Sequence, residues 1–485
     1  MKKLKPQRNA YRDEYCSDNI MIFRTLTFLI VLMFSVYDAS AQRGDSINPL
    51  PQRTPQTDRE ALRLMRNDKL DLILPGAMRD NNVDMWIHVT RSGDPDPMVQ
   101  QFGSTSGYLI FTDLGNKIER AVFGSAAAVA NIDVTGSLEI TRAIAGYDHQ
   151  PGVLDELTKF VTQRDPKTIA VNYSSWISTA DGISHSEYIK LEKILGPEYS
   201  QRIVSAENVI NDFLTRRTSR EVAAHAEVLA LWRQRTLQNL STIVPGVTRI
   251  KDVGGRIYHS AKSKRVAPPD ARFWINDPEY VFQRGDFFTG GTGGDRSWGN
   301  YMDFETDTKI HAYILREGET TVPESIQHAW DQGKKAQGIM RRQIKVGMTA
   351  GECLQAIVSA MEEADYIYTP LTDVGTEDYK ILQKALAGTD KSGFYLDLHA
   401  IGNNYNNGTH DILNRIGPSI SDFRRNRWHL VIPENHIFAF EYAVHTNIPE
   451  RPGFPMSINF SNIQVVTSRG VEWIEPPNEE ILLIY

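Results

Sequence analysis

A chain of 485 residues is longer than one hydrophobic core usually serves, so two domains are expected. Its 41% hydrophobic and 23% charged residues match a soluble globular protein and exclude a disordered or collagen-like one. A formal net charge of −7 and the lack of a basic stripe argue against nucleic acid as a partner.

In chain order, residues 22–37 are almost entirely apolar, with Arg24 near their start, and Ala39-Ser40-Ala41 follows in the small-x-small pattern cut by signal peptidase. Residues 1–41 are therefore expected to be a signal peptide, with Gln42 the first mature residue and a secreted or periplasmic location. Spanning a bilayer takes about 20 apolar residues, so no stable membrane anchor is expected. The polar stretch ahead of Met21 is long for a signal peptide, which makes Met21 an alternative start. With Cys16 ahead of the cleavage site, Cys353 is left alone and no disulfide within the mature chain is expected.

Residues 42–56, rich in Pro, Gln and Arg, read as a flexible leader. From Arg59, Leu62, Leu64, Met65, Leu70 and Leu72 trace a helical pattern up to a break at Pro75-Gly76. Short apolar runs at 85–89, 107–111, 118–123 and 168–171 predict strands, and 152–160 and 186–195 predict helices between or after them. This alternation argues for an α/β layer with a mixed sheet over residues 57–212. Thr218 and Glu221 have the spacing of a capping box and open a second domain, 213–485. If the junction is exposed, Arg216-Arg217 is where limited proteolysis would cut most readily. A second capping box, Thr349 and Glu352, precedes the helical stripe Leu354, Ile357, Val358 and Met361. Strands are predicted at 280–288, 309–315, 394–399, 437–444 and 458–467. The fold class is thus α/β (α+β), with long helices packed on antiparallel strands in the second domain.

Several chemical signatures are absent. There is no H-E-x-x-H, C-x-x-C or G-x-S-x-G pattern, and the glycines of 290–294 lack the Lys-Ser/Thr of a phosphate loop, so they read as a flexible surface loop. What remains is a set of segments in the second domain: Gly285-Asp286-Phe287-Phe288, the stretch 305–320 around Thr306-Asp307-Thr308 and His311-Ala312-Tyr313, Leu398-His399-Ala400, Asn435 to Tyr442, and 458–467. They put Asp307, His399 and Glu441 at or just beyond strand-like runs. Carboxylates and an imidazole converging from separate strands are what a Mn, Fe, Co or Zn hydrolase site needs.

These segments, in this order, resemble the M24 metallopeptidases, the family of the Xaa-Pro aminopeptidases and aminopeptidase P, with creatinase as a relative. The resemblance implies a creatinase-like N-terminal domain followed by a pita-bread domain, and a peptide substrate. Active relatives hold two metal ions with two Asp, one His and two Glu. Asp307 stands at the second Asp, His399 at the His and Glu441 at the first Glu. The first Asp falls on Gly291 when read without gaps, and Asp295 takes its place only if the loop shifts. Asn462 replaces the last Glu. Asn406 stands where a substrate-binding His is expected, which makes His399 and Asn406 the pocket candidates. His410, His436 and His445 lie near the same segments. The resemblance thus implies a metallo-aminopeptidase with impaired or altered hydrolysis, binding one divalent ion (Mn, Co, Zn or Fe) weakly, or none. Two alternatives stay open: a non-catalytic pita-bread protein that binds a peptide or partner, and a metal-free creatinase-like hydrolase of C–N bonds. A homodimer is expected by analogy alone.

Overall fold

The computed structural model describes residues 55–91, 96, 98–102, 107–124, 151–254, 256–258, 278–293, 304, 306–370, 376–401 and 416–485. The apolar run with its cleavage pattern, most of the leader, Asp295, Asn406 and His410 lie outside them. No helix of the described residues is long and apolar enough to cross a membrane.

The first helical pattern forms the helix Pro55–Asp68, but it does not break at Pro75-Gly76. It continues through one π-helical turn, Lys69–Ile73, into the helix Leu74–Asp80. Pro75 lies in the first turn of that last helix, where its missing N–H is not needed, so it begins a helix instead of ending one. Beyond it come β1 (Met85–Thr90), β2 (Gly107–Asp113), β3 (Ile118–Phe123), β4 (Ile169–Val171) and β5 (Ile203–Ser205). They pair in the order β3-β2-β1-β4-β5, antiparallel on the β3 side and parallel on the β5 side. Strand β1 is buried at every position, with Trp86 in one core and Met85, Ile87 and Val89 in another on the opposite face. A strand sandwiched this way reads as a continuous apolar run, which is what the sequence has there.

The Thr218 capping box forms as its spacing predicts. Glu221 N donates to Thr218 Oγ1 at 3.2 Å and Thr218 N to Glu221 Oε2 at 2.8 Å, starting the helix Ser219–Leu240. The junction before it is not open to proteases. Arg217 is buried, bonded to Glu221 and to the Ile401 carbonyl, and Lys69 Nζ donates to Arg216 O.

Further along lie β6 (Arg256–Tyr258), β7 (Phe287–Gly293), β8 (Asp307–Ile314), β9 (Tyr366–Tyr368), β10 (Ser392–Ala400) and β11 (Ile420–Ser421). They are followed by β12 (His436–Thr446), β13 (Met456–Phe460), β14 (Ile463–Thr467), β15 (Gly470–Trp473) and β16 (Leu482–Ile484). One sheet runs β11-β10-β12-β14-β15, with β13 also on β12 and β9 on β10; another runs β16-β8-β7-β6. The helices Glu324–Arg341 and Ala350–Glu363 cover one face of the larger sheet, in a core that includes Trp330, Met340, Ile357, Phe394, Leu396, Phe438, Phe440 and Tyr442.

Two local expectations change. The strand predicted at 280–288 starts later, because Gly285 (φ 90°) and Asp286 form a turn in which Asp286 Oδ2 accepts from Gln283 N at 2.8 Å and from the Tyr280 hydroxyl at 2.9 Å. The glycines after it are strand, not surface loop. Gly290 and Gly291 pair with Ile310 and Lys309. A Cβ on Gly290 would come within 2.9 Å of the Leu240 side chain, so close approach to a helix, not flexibility, calls for glycine there.

Candidate functional site

Side chains of a strand alternate between faces, and directly paired residues of neighbouring strands share one. In β10 and β12, Asp397 pairs with Glu441 and His399 with Ala439. The helix-covered face therefore takes Leu396, Leu398, Phe440 and Tyr442, while Tyr395, Asp397, His399 and Glu441 line the opposite face. Strand β8 meets this sheet where Lys309 N donates to Ser461 O at 2.8 Å, and brings Asp307 and Lys309, two residues apart, to the same place.

The donor atoms of Asp307, His399 and Glu441 lie within 4.8 Å of one another. His399 Nε2 is 3.7 Å from Asp307 Oδ2 and 3.6 Å from Glu441 Oε2. The other ring nitrogen, Nδ1, donates to the Ala400 carbonyl at 3.2 Å, which turns Nε2 toward the carboxylates. Between the two acids sits a residue the sequence did not single out. Lys309 Nζ is 2.7 Å from Glu441 Oε1 and 3.3 Å from Asp307 Oδ1, and the residue is 4% exposed. Asn459 Nδ2 also donates to Glu441 Oε1, at 3.1 Å. Burial pushes the Glu441 carboxyl up, but the Lys309 ammonium and His399 together outweigh it and hold that group below its ordinary value.

No family model matches the sequence, and no curated protein does. Solved structures do resemble the fold. The X-Pro aminopeptidase from Thermotoga maritima MSB8 superposes with a TM-score of 0.51 at 14% identity, over 84% of this chain and all of that one. The chain has the pita-bread fold. An Xaa-Pro dipeptidase from Bacillus anthracis gives a TM-score of 0.48 at 15% identity, over 87% of this chain and all of its own. The prolidase from Pyrococcus horikoshii OT3 gives 0.45 at 13%, over 86% and 99%.

Within this pita-bread sheet, the donor atoms of Asp307, His399 and Glu441 lie close enough together that they could hold one metal ion. A two-ion centre does not fit the described residues, since the positions beside these three offer no further carboxylate except Asp397, which an arginine holds. Gly291, which pairs with Lys309, has no side chain to offer. Asp397 shares the site's face, but both its oxygens are taken by Arg424, at 2.9 and 3.0 Å. Asn462 is on the wrong face. The pairs Tyr442–Phe460 and Ala439–Ile463 put Ser461 opposite Glu441 and Asn462 opposite Phe440. The Asn462 amide oxygen accepts from Gln464 at 2.6 Å and from Gln337 of the covering helix at 3.4 Å. A one-residue offset in a strand exchanges faces, so the residue that replaces a site-facing acid is Ser461. Among the described residues its hydroxyl has no hydrogen-bond partner.

Three other histidines of these segments, among the described residues, have structural surroundings. His436 opens β12 with Nε2 against the Pro418 carbonyl, and burial holds its ring down at about 3. His445 lies inside β12 and stacks on Tyr395 at 5.8 Å. His311, next but one after Lys309, accepts from Trp330 Nε1 through Nδ1, and Nε2 donates to Asn459 O. The signal for Lys309 was the alternation of β8: whatever Asp307 faces, Lys309 faces too.

Behind the site, Thr308 points the other way and donates to Glu475 Oε1 at 2.6 Å. Glu475 is buried, and its second oxygen has no partner among the described residues. Burial pushes this carboxyl from 4.5 up to about 7, against the Thr308 hydrogen bond. A carboxyl raised in the folded state costs nothing below its ordinary value, and stability is lost as pH rises from about 4.5 to about 7. Glu475→Gln should remove that loss, raising stability at pH 8 by about 2–3 kcal/mol. Urea midpoints measured from pH 4.5 to 8 check this: equal pH slopes for both proteins would refute it.

Proposed function

We propose that this chain is a pita-bread protein that binds a peptide at the Asp307–His399–Glu441 site and has lost most of the two-metal hydrolysis of Xaa-Pro peptidases. The observation that carries the reading is Ser461 opposite Glu441: a hydroxyl stands where a second ion would need a bridging carboxylate. Gly291 and the inward amide of Asn462 support it. Asp307, His399 and Glu441 are the residues that would hold a single ion, and such an ion supplies polarisation of a carbonyl. What the chain's own groups do is accept and donate hydrogen bonds. The oxygens not held by Lys309, Asp307 Oδ2 and Glu441 Oε2, can accept hydrogen bonds from a peptide N–H, and Asn459 keeps Glu441 in place from the neighbouring strand.

The test is an assay of Xaa-Pro dipeptides and tripeptides with Mn2+, Co2+ or Zn2+ supplied, beside calorimetric titration with the same peptides. Binding should be measurable, and turnover should stay below about 0.001 per second, against a typical enzyme value of about 10 per second. Brisk metal-dependent cleavage would refute the loss of hydrolysis, and absence of any binding would refute the peptide site. Ser461→Glu is the substitution to restore the missing acid, because Asn462→Glu would push a carboxylate into the helix-covered core.

A further inference from the structure

The site already contains a cation. Lys309 is buried, its ammonium lies on both Asp307 and Glu441, and these are the two carboxylates that a metal ion would use together with His399. Its place is set by the fold. The Lys309 backbone N–H is bound to Ser461 O, and its carbonyl accepts from Asn478 Nδ2 at 2.8 Å. Its stem is therefore fixed at both ends of the peptide unit, within β8. Across the β7–β8 ladder stands Gly291, which has no side chain to offer the ammonium.

We infer that the Lys309 ammonium takes the place of a metal ion, and that the resting site is metal-free. An ammonium buried to this degree persists only where anionic partners offset its desolvation, and the two acids do so. A divalent ion bonds carboxylate oxygens at about 2 Å, so at these oxygens it would lie close to an ammonium already 2.7 Å from Glu441 Oε1. The two cations would repel, while among the described residues Asp307 and Glu441 are the two carboxylates on the ammonium, against three positive charges. A metal enters only if the lysine leaves, and leaving strands it in the buried sheet. Chelators should then have nothing to remove.

The test is calorimetric titration of Mn2+ and Zn2+ into the full-length protein, Lys309→Met, Lys309→Arg and the double variant Lys309→Met with His399→Ala. Wild type and Lys309→Arg should bind neither ion at the site. Lys309→Met should gain one site, tighter by about a hundredfold or more, and the double variant should lose it. Should Lys309→Met fail to fold, as circular dichroism would reveal, the wild type alone decides. Its melting temperature should be the same in EDTA and in Mn2+. Purified wild type that retains a stoichiometric ion after dialysis, or that binds Mn2+ as tightly as Lys309→Met, would overturn the inference. Wild type that holds an ion yet cleaves nothing would overturn the lysine's role and leave the peptide-binding proposal standing; cleavage that persists in EDTA would do the reverse.

Discussion

Gly333→Ala should lower stability by about 3 kcal/mol, although alanine is the better helix former by about 1 kcal/mol. Gly333 is buried in the helix Glu324–Arg341, and a Cβ there would lie 2.0 Å from Phe460 Cε2 and 2.1 Å from Cζ. The ring cannot step back. It stacks on Tyr442 at 5.1 Å with 6° between planes and packs on His311 at 4.6 Å. Tyr442 is tied to the same helix turn by its hydroxyl, which donates to the Gly333 carbonyl at 3.0 Å. The methyl must therefore push the helix off the sheet, and close-packed interiors resist such shifts. Chemical denaturation of Gly333→Ala checks this, with Phe460→Leu in the same chain expected to recover part of the loss. A variant as stable as wild type would mean that the helix and sheet separate at little cost.

Arg424→Met should cost about 3–5 kcal/mol at pH 7, because it leaves Asp397 buried and charged without its partner. The guanidinium is 2% exposed and grips both Asp397 oxygens, at 2.9 and 3.0 Å. Burial pushes the Asp397 carboxyl up, and Arg424, helped by His399, outweighs burial and brings it below its ordinary value. In the wild type the pair's contribution is present above the ordinary carboxylate range and is lost as pH falls through the lowered value. In the variant the sign reverses. The lone carboxyl is raised, so the penalty grows as pH rises and fades on acidification. Denaturation midpoints at pH 4.5 and 7 distinguish the two, and Arg424→Met combined with Asp397→Leu should regain most of the loss. A single variant within about 1 kcal/mol of wild type at pH 7 would show that the pair is solvated.

Where the site lay was legible in part. Asp307, His399 and Glu441 each follow or sit within strand-like runs, and a carboxylate or imidazole at such a place can be picked out from the chain alone. Lys309 could not be valued in the same way. A lysine two residues after an aspartate in an alternating strand reads equally well as a solvated pair, and only the arrival of β12 with Glu441 turns that face inward. The strand predicted at 458–467 hid a second difficulty. It runs as β13 and β14, parted at Ser461-Asn462 where Lys309 N takes the Ser461 carbonyl, and the register decides which of the two side chains faces Glu441.

Local chemistry in the sequence determined the capping boxes at Thr218 and Thr349, the apolar runs of the first sheet, and the helical stripes, because each depends on residues within one or two turns of one another. Pairing between distant strands decided the rest. Gly290 and Gly291 became strand through their partners on β8, Asn462 was turned to the helix side by its place opposite Phe440, and an unremarked lysine became the cation of the site. The physical reason is the two-residue period of a strand. It says which side chains travel together, but which face meets water, a helix or a second carboxylate is settled only when another strand is laid beside it.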